Sequence, residues 1–261
     1  MILKINSWTG RLGNNIIQLR NIILVAIYYK FNIEIPEHPF FSAKFIQLNK
    51  DTNNDIYIDD EGNNFFYSQK IKKFDNKCFN TNIDVMKKIL QQIFKLKIPE
   101  DTLNFNDILT IHIRGGDLFS THPPHQYIPP PFEYYQNIIE DNNYKKIIII
   151  SDDNKNPIIQ KLQSVYPNTL FQMNNLLQDI EIILSSKNIV QSVGTFIPSI
   201  LLLSKNIKNI YYPSYSIQIN ETKQYFQNIT LIENDYNNYN TKMNKWRNTD
   251  EQKNLLLNYK T

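Results

Sequence analysis

The sequence predicts an α/β fold: one Rossmann-type unit with a parallel sheet, and a second, smaller α/β unit ahead of it. Three observations lead there. Apolar, β-branched runs alternate with stretches of helical spacing, the runs end in glycine or Ser-Asp turns, and the alternation is clearest between about residues 107 and 215.

Taken in order, Ile2–Ser7 reads as a short strand, followed by the turn Thr9-Gly10-Arg11-Leu12-Gly13-Asn14. Ile16–Tyr29 carries apolar side chains over a helix-length span, with Asn14 or Asn15 as the expected cap. Phe31–Ile35 is a second strand, and the aromatic, polar stretch from Pro36 to Asp75 holds a short strand at Ile56–Ile58. Between Asn82 and Phe94 the spacing of Ile83, Met86, Ile89, Leu90 and Ile93 is helical, and Pro99 closes the region.

The second half repeats the pattern more plainly. Strands are expected at Leu109–Ile113, Lys146–Ile150, Asn188–Gln191 and Ile210–Tyr212, with a short extended piece at Leu170 or Phe171. Helices are expected at Phe132–Glu140, Pro157–Val165, Leu177–Ser185 and Phe196–Ser204, and a last one around Trp246–Tyr259 is expected to pack back across the pair of units. The resulting division is an amino-terminal α/β domain over 1–106, a Rossmann-type domain over 107–233, and a polar linker with a terminal helix over 234–261. The asparagine-rich tracts Asp51-Thr52-Asn53-Asn54-Asp55 and Asn234-Asp235-Tyr236-Asn237-Asn238-Tyr239-Asn240 read as loops or linkers, because such segments bury little apolar surface.

Composition bounds the function. Of 261 residues, 41% are hydrophobic and 13% aromatic, enough for a buried core, and no run approaches the about 18 apolar residues of a membrane span. The start Met1-Ile2-Leu3-Lys4-Ile5-Asn6 is unlike a signal peptide. Cys78 is the only cysteine, which excludes an internal disulfide and a cysteine-built zinc cage. A soluble protein of a reducing, cytoplasmic compartment is the expectation. A net charge of +3 suits an anionic small substrate and falls short of the basic stripe that duplex nucleic acid requires.

The strand ends carry the chemistry. Ile111-His112-Ile113-Arg114-Gly115-Gly116-Asp117 sets a buried strand against His, Arg and Asp at a Gly-Gly turn, where open α/β sheets receive ligands. Alternatively, it is a surface turn with an incidental ion pair. Gly10, Gly13 and Asn14 open a helix with backbone N–H groups that suit a phosphate or a sugar hydroxyl, or form a purely structural turn. Asp152 and Asp153 offer carboxylates to a ribose or base edge, or cap a helix. Gly194, Thr195 and Phe196 open another helix with groups of the kind that hold a pyrophosphate, or again a cap.

His112-x-Arg114-x-x-Asp117 resembles the His-x-Arg-Arg-x-Asp motif of the fucosyltransferase superfamily, which includes α-1,2- and α-1,6-fucosyltransferases and protein O-fucosyltransferases. Gly10-Arg11-Leu12-Gly13-Asn14-Asn15 is similar to the Gly-Gly-Leu-Gly-Asn-Gln start of bacterial α-1,2-fucosyltransferases. Ile150-Ser151-Asp152-Asp153 and the block from Asp179 to Ser199 are similar to their later segments. The likeness covers about residues 3–30 and 107–213. It implies a GT-B fold of two facing Rossmann-like domains and inversion without a metal or cofactor, the nucleotide sugar being a co-substrate. It further implies that Arg114 binds the donor's β-phosphate, that His112 and Asp153 face the nucleoside, and that Thr195 and its neighbours hold the pyrophosphate. One departure is plain: the family's second arginine is Gly115 here, so its cationic contact is absent or supplied from elsewhere.

An inverting transferase needs a base to take the acceptor's proton. Asp117, His122 and His125 lie nearest the motif, with His122 slightly favoured as the base and Asp117 read by preference as a structural partner that orients Arg114 or caps the loop. His38 reads as a loop residue, and Pro129-Pro130-Pro131 as a stiffener of the loop. The expectation is a glycosyltransferase moving fucose from GDP-fucose to a glycan acceptor. A rhamnose or aminodeoxyhexose donor, or a non-catalytic glycan-binding protein of the same fold, are the alternatives.

Overall fold

Repeated strand–helix alternation produces two α/β units, Met1–Ile98 and Pro99–Thr261. The structure, a computed structural model, describes residues 1–50, 57, 58, 66, 74–99 and 105–261. The tract Asp51–Asp55 and the expected strand residue Ile56 lie outside them.

In the first unit, β1 (Ile2–Lys4) pairs in parallel with β2 (Asn32–Glu34) and with β4 (Tyr57–Ile58). The two-residue β3 (Phe45–Ile46), which the sequence did not announce, adds to β2 antiparallel, so this sheet is mixed rather than parallel throughout. Helix α1 (Leu12–Tyr29) buries Leu19 and the apolar run from Ile22 to Ala26, and α2 (Ile83–Ile93) presents Ile83, Met86, Leu90 and Ile93 to the core. Each such side chain contributes about 1.5–3 kcal/mol on burial. The expected asparagine cap of α1 is not found. Arg11 occupies the cap position, and its carbonyl receives the N–H groups of Asn14 and Asn15 at 2.9 and 3.1 Å.

The second unit is a six-stranded sheet with every pairing parallel. Its strands are β5 (Ile108–His112), β6 (Lys146–Ile150), β7 (Thr169–Phe171), β8 (Asn188–Val190), β9 (Asn209–Pro213) and β10 (Thr230–Asn234), in the order β10-β9-β8-β5-β6-β7. Leu109, Ile111, Ile147, Ile149, Ile189 and Val190 are fully buried, which is why these strands read as continuous apolar runs. Helices α3 (Phe132–Glu140), α4 (Pro157–Val165), α5 (Leu176–Ser185) and α6 (Phe196–Leu201) connect them. Strand order reverses between β5 and β8. In such sheets the ligand crevice opens at the carboxyl ends beside that reversal, so His112 and Val190 mark where a site belongs.

The tail departs from the expectation of a linker. β10 continues the sheet, α7 (Ile217–Thr222) precedes it, and α8 (Asn237–Met243) forms inside the asparagine-rich tract. Tyr236 and Tyr239 are buried there, and the Tyr239 hydroxyl donates to the Pro129 carbonyl at 2.9 Å. Helix α9 runs Asp250–Asn258, capped by Thr249, and packs on α3 and α4. Trp246 precedes α9 rather than starting it, because Asn244 and Asn248 take left-handed backbone (φ 58° and 59°). Among the described residues no helix is long and apolar enough to cross a membrane.

Candidate functional site

At the carboxyl end of β5 the chain continues its pairing through Ile113, whose N–H donates to the Ile150 carbonyl (2.9 Å), and then turns at Arg114. Two hydrogen bonds tie the guanidinium to Asp117, Nε to Oδ1 at 3.2 Å and Nη2 to Oδ2 at 2.9 Å. The Tyr127 ring lies 4.3 Å from the guanidinium carbon. This places Asp117 as the carboxylate that orients Arg114. Such a fork-to-carboxylate pair fixes direction as well as charge. Nη1 keeps no protein acceptor among the described residues, and it lies so close to Gly194 that a Cβ there would stand 2.8 Å away. Gly194, at φ +109°, thus lets the turn after β8 close on the guanidinium.

The Gly115-Gly116 turn is held by the end of β6. Gly115 N–H donates to Asp152 Oδ1 and Gly116 N–H to Asp153 Oδ1, each at 3.1 Å. A side chain on either glycine would run into these carboxylates. The position where the resembled family carries its second arginine therefore has no room for one. Asp153 also takes the Lys155 N–H (3.0 Å) and faces its ammonium (3.2 Å). Burial opposes ionisation of Asp153, but the hydrogen bonds from Lys155 and Gly116 and the Lys155 charge hold its carboxyl below the usual range. The helix-capping alternative for these aspartates is not what is found. Asn156 caps α4 instead, accepting from Ile158 N–H at 3.1 Å, and its amide donates to the Arg114 carbonyl at 3.1 Å.

His112, the last residue of β5, is buried with its ring 6.1 Å from that of Phe196. Burial first, and the Arg114 charge second, push its pKa down to about 3, so the imidazole is neutral at any working pH. Its Nδ1 is enclosed and has no hydrogen-bond partner among the described residues, a cost of about 1–3 kcal/mol unless something else pairs with it. Thr195 sits at the cap position of α6, yet its side chain makes no capping bond.

Asp179 was visible in the sequence only as the start of a block. In the first turn of α5 it is buried, and Asn174 Nδ2 donates to it at 3.2 Å. Burial, together with the negative charge of Asp152, raises its pKa to about 6 against the Asn174 bond. Asp179 thus lies close enough to Asp152, one of the carboxylates that hold the Gly115-Gly116 turn, to feel its charge. His122 and His125 are both exposed on the loop after the short 3₁₀ turn Gly116–Phe119. His122 Nδ1 lies 3.1 Å from the Thr121 hydroxyl, and His125 Nδ1 lies 2.7 Å from the Trp246 carbonyl.

The glycine turn of the first unit is built differently. Gly10 has φ +70°, with the Asn14 amide packed on it, and Gly13 is buried in the first turn of α1. Asn15 Nδ2 donates to the Thr9 carbonyl (3.0 Å), and Gln18 Oε1 accepts the Thr9 N–H (2.8 Å). His38 is part of this knot rather than a plain loop residue. Its Nδ1 accepts the Phe40 N–H, so Nε2 carries the hydrogen and donates to Asn15 Oδ1 at 3.2 Å. Among the described residues no group of three or more His, Cys, Asp or Glu is arranged to hold a metal ion.

The sequence matches no protein-family model, and no curated protein matches it. Solved structures that resemble the chain include fucosyltransferase complexes. POFUT1 in complex with GDP-fucose is 10% identical, with 90% of this chain and 97% of that chain covered and a TM-score of 0.46. POFUT1 in complex with GDP is 10% identical over 81% and 97% of the two chains, with a TM-score of 0.43. NodZ α-1,6-fucosyltransferase soaked with GDP-fucose is 12% identical over 78% and 92%, with a TM-score of 0.36.

Proposed function

We propose that the protein is an inverting, metal-independent glycosyltransferase that moves a deoxyhexose, fucose from GDP-fucose, onto a glycan. The observation that carries this reading is Arg114. A guanidinium at the reversal point of a parallel sheet is locked along one edge by Asp117, covered by Tyr127, and left with Nη1 unmatched beside Gly194. Departure of a nucleoside diphosphate develops negative charge, and a donor already fixed in direction stabilises that charge without reorganising. The neutral His112 offers its unmatched Nδ1 to the nucleoside, and Asp152 and Asp153 border the same turn. A histidine of the loop after the 3₁₀ turn takes the acceptor's proton.

Calorimetric titration with GDP, UDP and dTDP tests the donor class. GDP is expected to bind most tightly. Tighter binding of dTDP would move the reading to a rhamnose or aminodeoxyhexose donor, and binding of none of the three would end the transferase reading.

A further inference from the structure

The carboxyl-terminal segment grips the site loop. Trp246, wholly buried, donates its indole N–H to the Leu118 carbonyl (2.6 Å) and its backbone N–H to the His125 carbonyl (3.1 Å). Its own carbonyl meets His125 Nδ1 at 2.7 Å, Asn248 Nδ2 donates to the Ser120 carbonyl at 3.1 Å, and the Phe119 ring stands edge-on to the indole at 5.4 Å. This hook therefore fixes residues 118–125, between Asp117, which orients Arg114, and Tyr127, which covers it.

A carbonyl oxygen only accepts, so His125 Nδ1 carries the hydrogen, and in the neutral ring the lone pair is then on Nε2. That atom has no hydrogen-bond partner among the described residues, and the side chain is exposed. His122 differs. Its Nδ1 partner is a hydroxyl that can donate or accept, so neither tautomer is selected.

We propose that His125 Nε2 is the proton acceptor of the transfer, with the Trp246 hook as the element that positions it and sets its tautomer; this rests on the glycosyl-transfer reading above. In the step, the acceptor hydroxyl oxygen bonds to the sugar's anomeric carbon. The bond from that carbon to the diphosphate oxygen breaks, with its electron pair leaving on the diphosphate, and the hydroxyl proton passes to His125 Nε2. The role resembles that of a base whose ring is oriented by a partner on its other nitrogen.

His125→Asn separates holding from chemistry, since its amide replaces the Nδ1–H bond to the Trp246 carbonyl and Nε2 is lost. With water standing in for the acceptor, release of GDP from GDP-fucose is expected to fall about 100-fold or more in this variant. GDP affinity and KM for GDP-fucose should stay within about threefold, since no contact of Arg114 is altered. Release within about threefold of the wild type would overturn the proposal. Nitrogen-15 NMR of the His125 ring in the unaltered protein gives a second test that needs no variant to fold. Hydrogen on Nδ1 supports the proposal and hydrogen on Nε2 overturns it. If the wild type binds none of GDP, UDP and dTDP, the transferase reading falls and the proposal with it, whereas GDP binding with an active His125→Asn removes the proposal alone.

Discussion

The two glycine turns, one after β1 and one after β5, solve the same geometric problem with opposite chemistry. The Gly10 turn is knitted by uncharged groups: the amides of Asn15 and Gln18 bond to the Thr9 backbone, the ring of His38 meets the Asn15 amide, and the Asn14 side chain packs on Gly10. The Gly115-Gly116 turn is held by ions: Asp152 and Asp153 grip its N–H groups, and Asp117 grips Arg114 along one edge only. A neutral knot closes on itself and stabilises a fold. A charged frame that leaves a guanidinium nitrogen and a buried imidazole nitrogen unmatched is arranged for a partner from outside.

The largest effect should come from removing the charge that the frame presents. Arg114→Ala is expected to lower GDP release from GDP-fucose by about 1,000-fold at unchanged secondary structure by circular dichroism, a loss comparable with removing a fixed transition-state donor. Next is Gly115→Arg, which introduces the second arginine of the motif that the sequence resembles but drives a side chain into Asp152 and Asp153. It should weaken GDP binding by about tenfold or more and lower the melting temperature. An improvement in either quantity would show that the turn can open to admit the arginine.

On the neutral side, Asn15→Ala removes the bonds to Thr9 and His38. It is expected to cost about 1–3 kcal/mol in denaturant unfolding, the usual cost of leaving buried partners unmet. The smallest effect concerns pH. The folded-state pKa of Asp179, about 6, lies above that of a free aspartate, about 3.9. The stability linked to this group is therefore fully present below about pH 4 and is lost as pH rises through about 6. Asp179→Asn should raise the melting temperature at pH 8 by roughly a few degrees and leave it unchanged at pH 4. A gain of equal size at both pH values would contradict the assignment.

What could be read in the sequence follows the range of the interactions. The apolar runs of β5 and β6 and the helices α3 and α4 stood out because their signals are local, and so did Arg114 with Asp117, three residues apart. Among the described residues strand β10 pairs with β9 alone and is half-exposed, so its period was weak. In α8 the abundant asparagines hid Tyr236 and Tyr239, whose burial holds that segment to the core. The bonds from Asp152 and Asp153 to the glycine turn span 37 residues and the indole bond of Trp246 spans 128. No local pattern encodes those. The lone tryptophan in a polar tail was the one available signal, since so large an apolar group is seldom left in water.

The central claim is that Arg114 holds the terminal phosphate of the donor, and a two-by-two titration tests it directly. GDP and GMP, which differ by that phosphate, are titrated into the wild type and into Arg114→Ala. The wild type should bind GDP about 10- to 100-fold more tightly than GMP, the worth of a charge-assisted contact, and the variant should bind the two within about threefold. A preference for GDP that survives the loss of Arg114 undiminished would contradict the account.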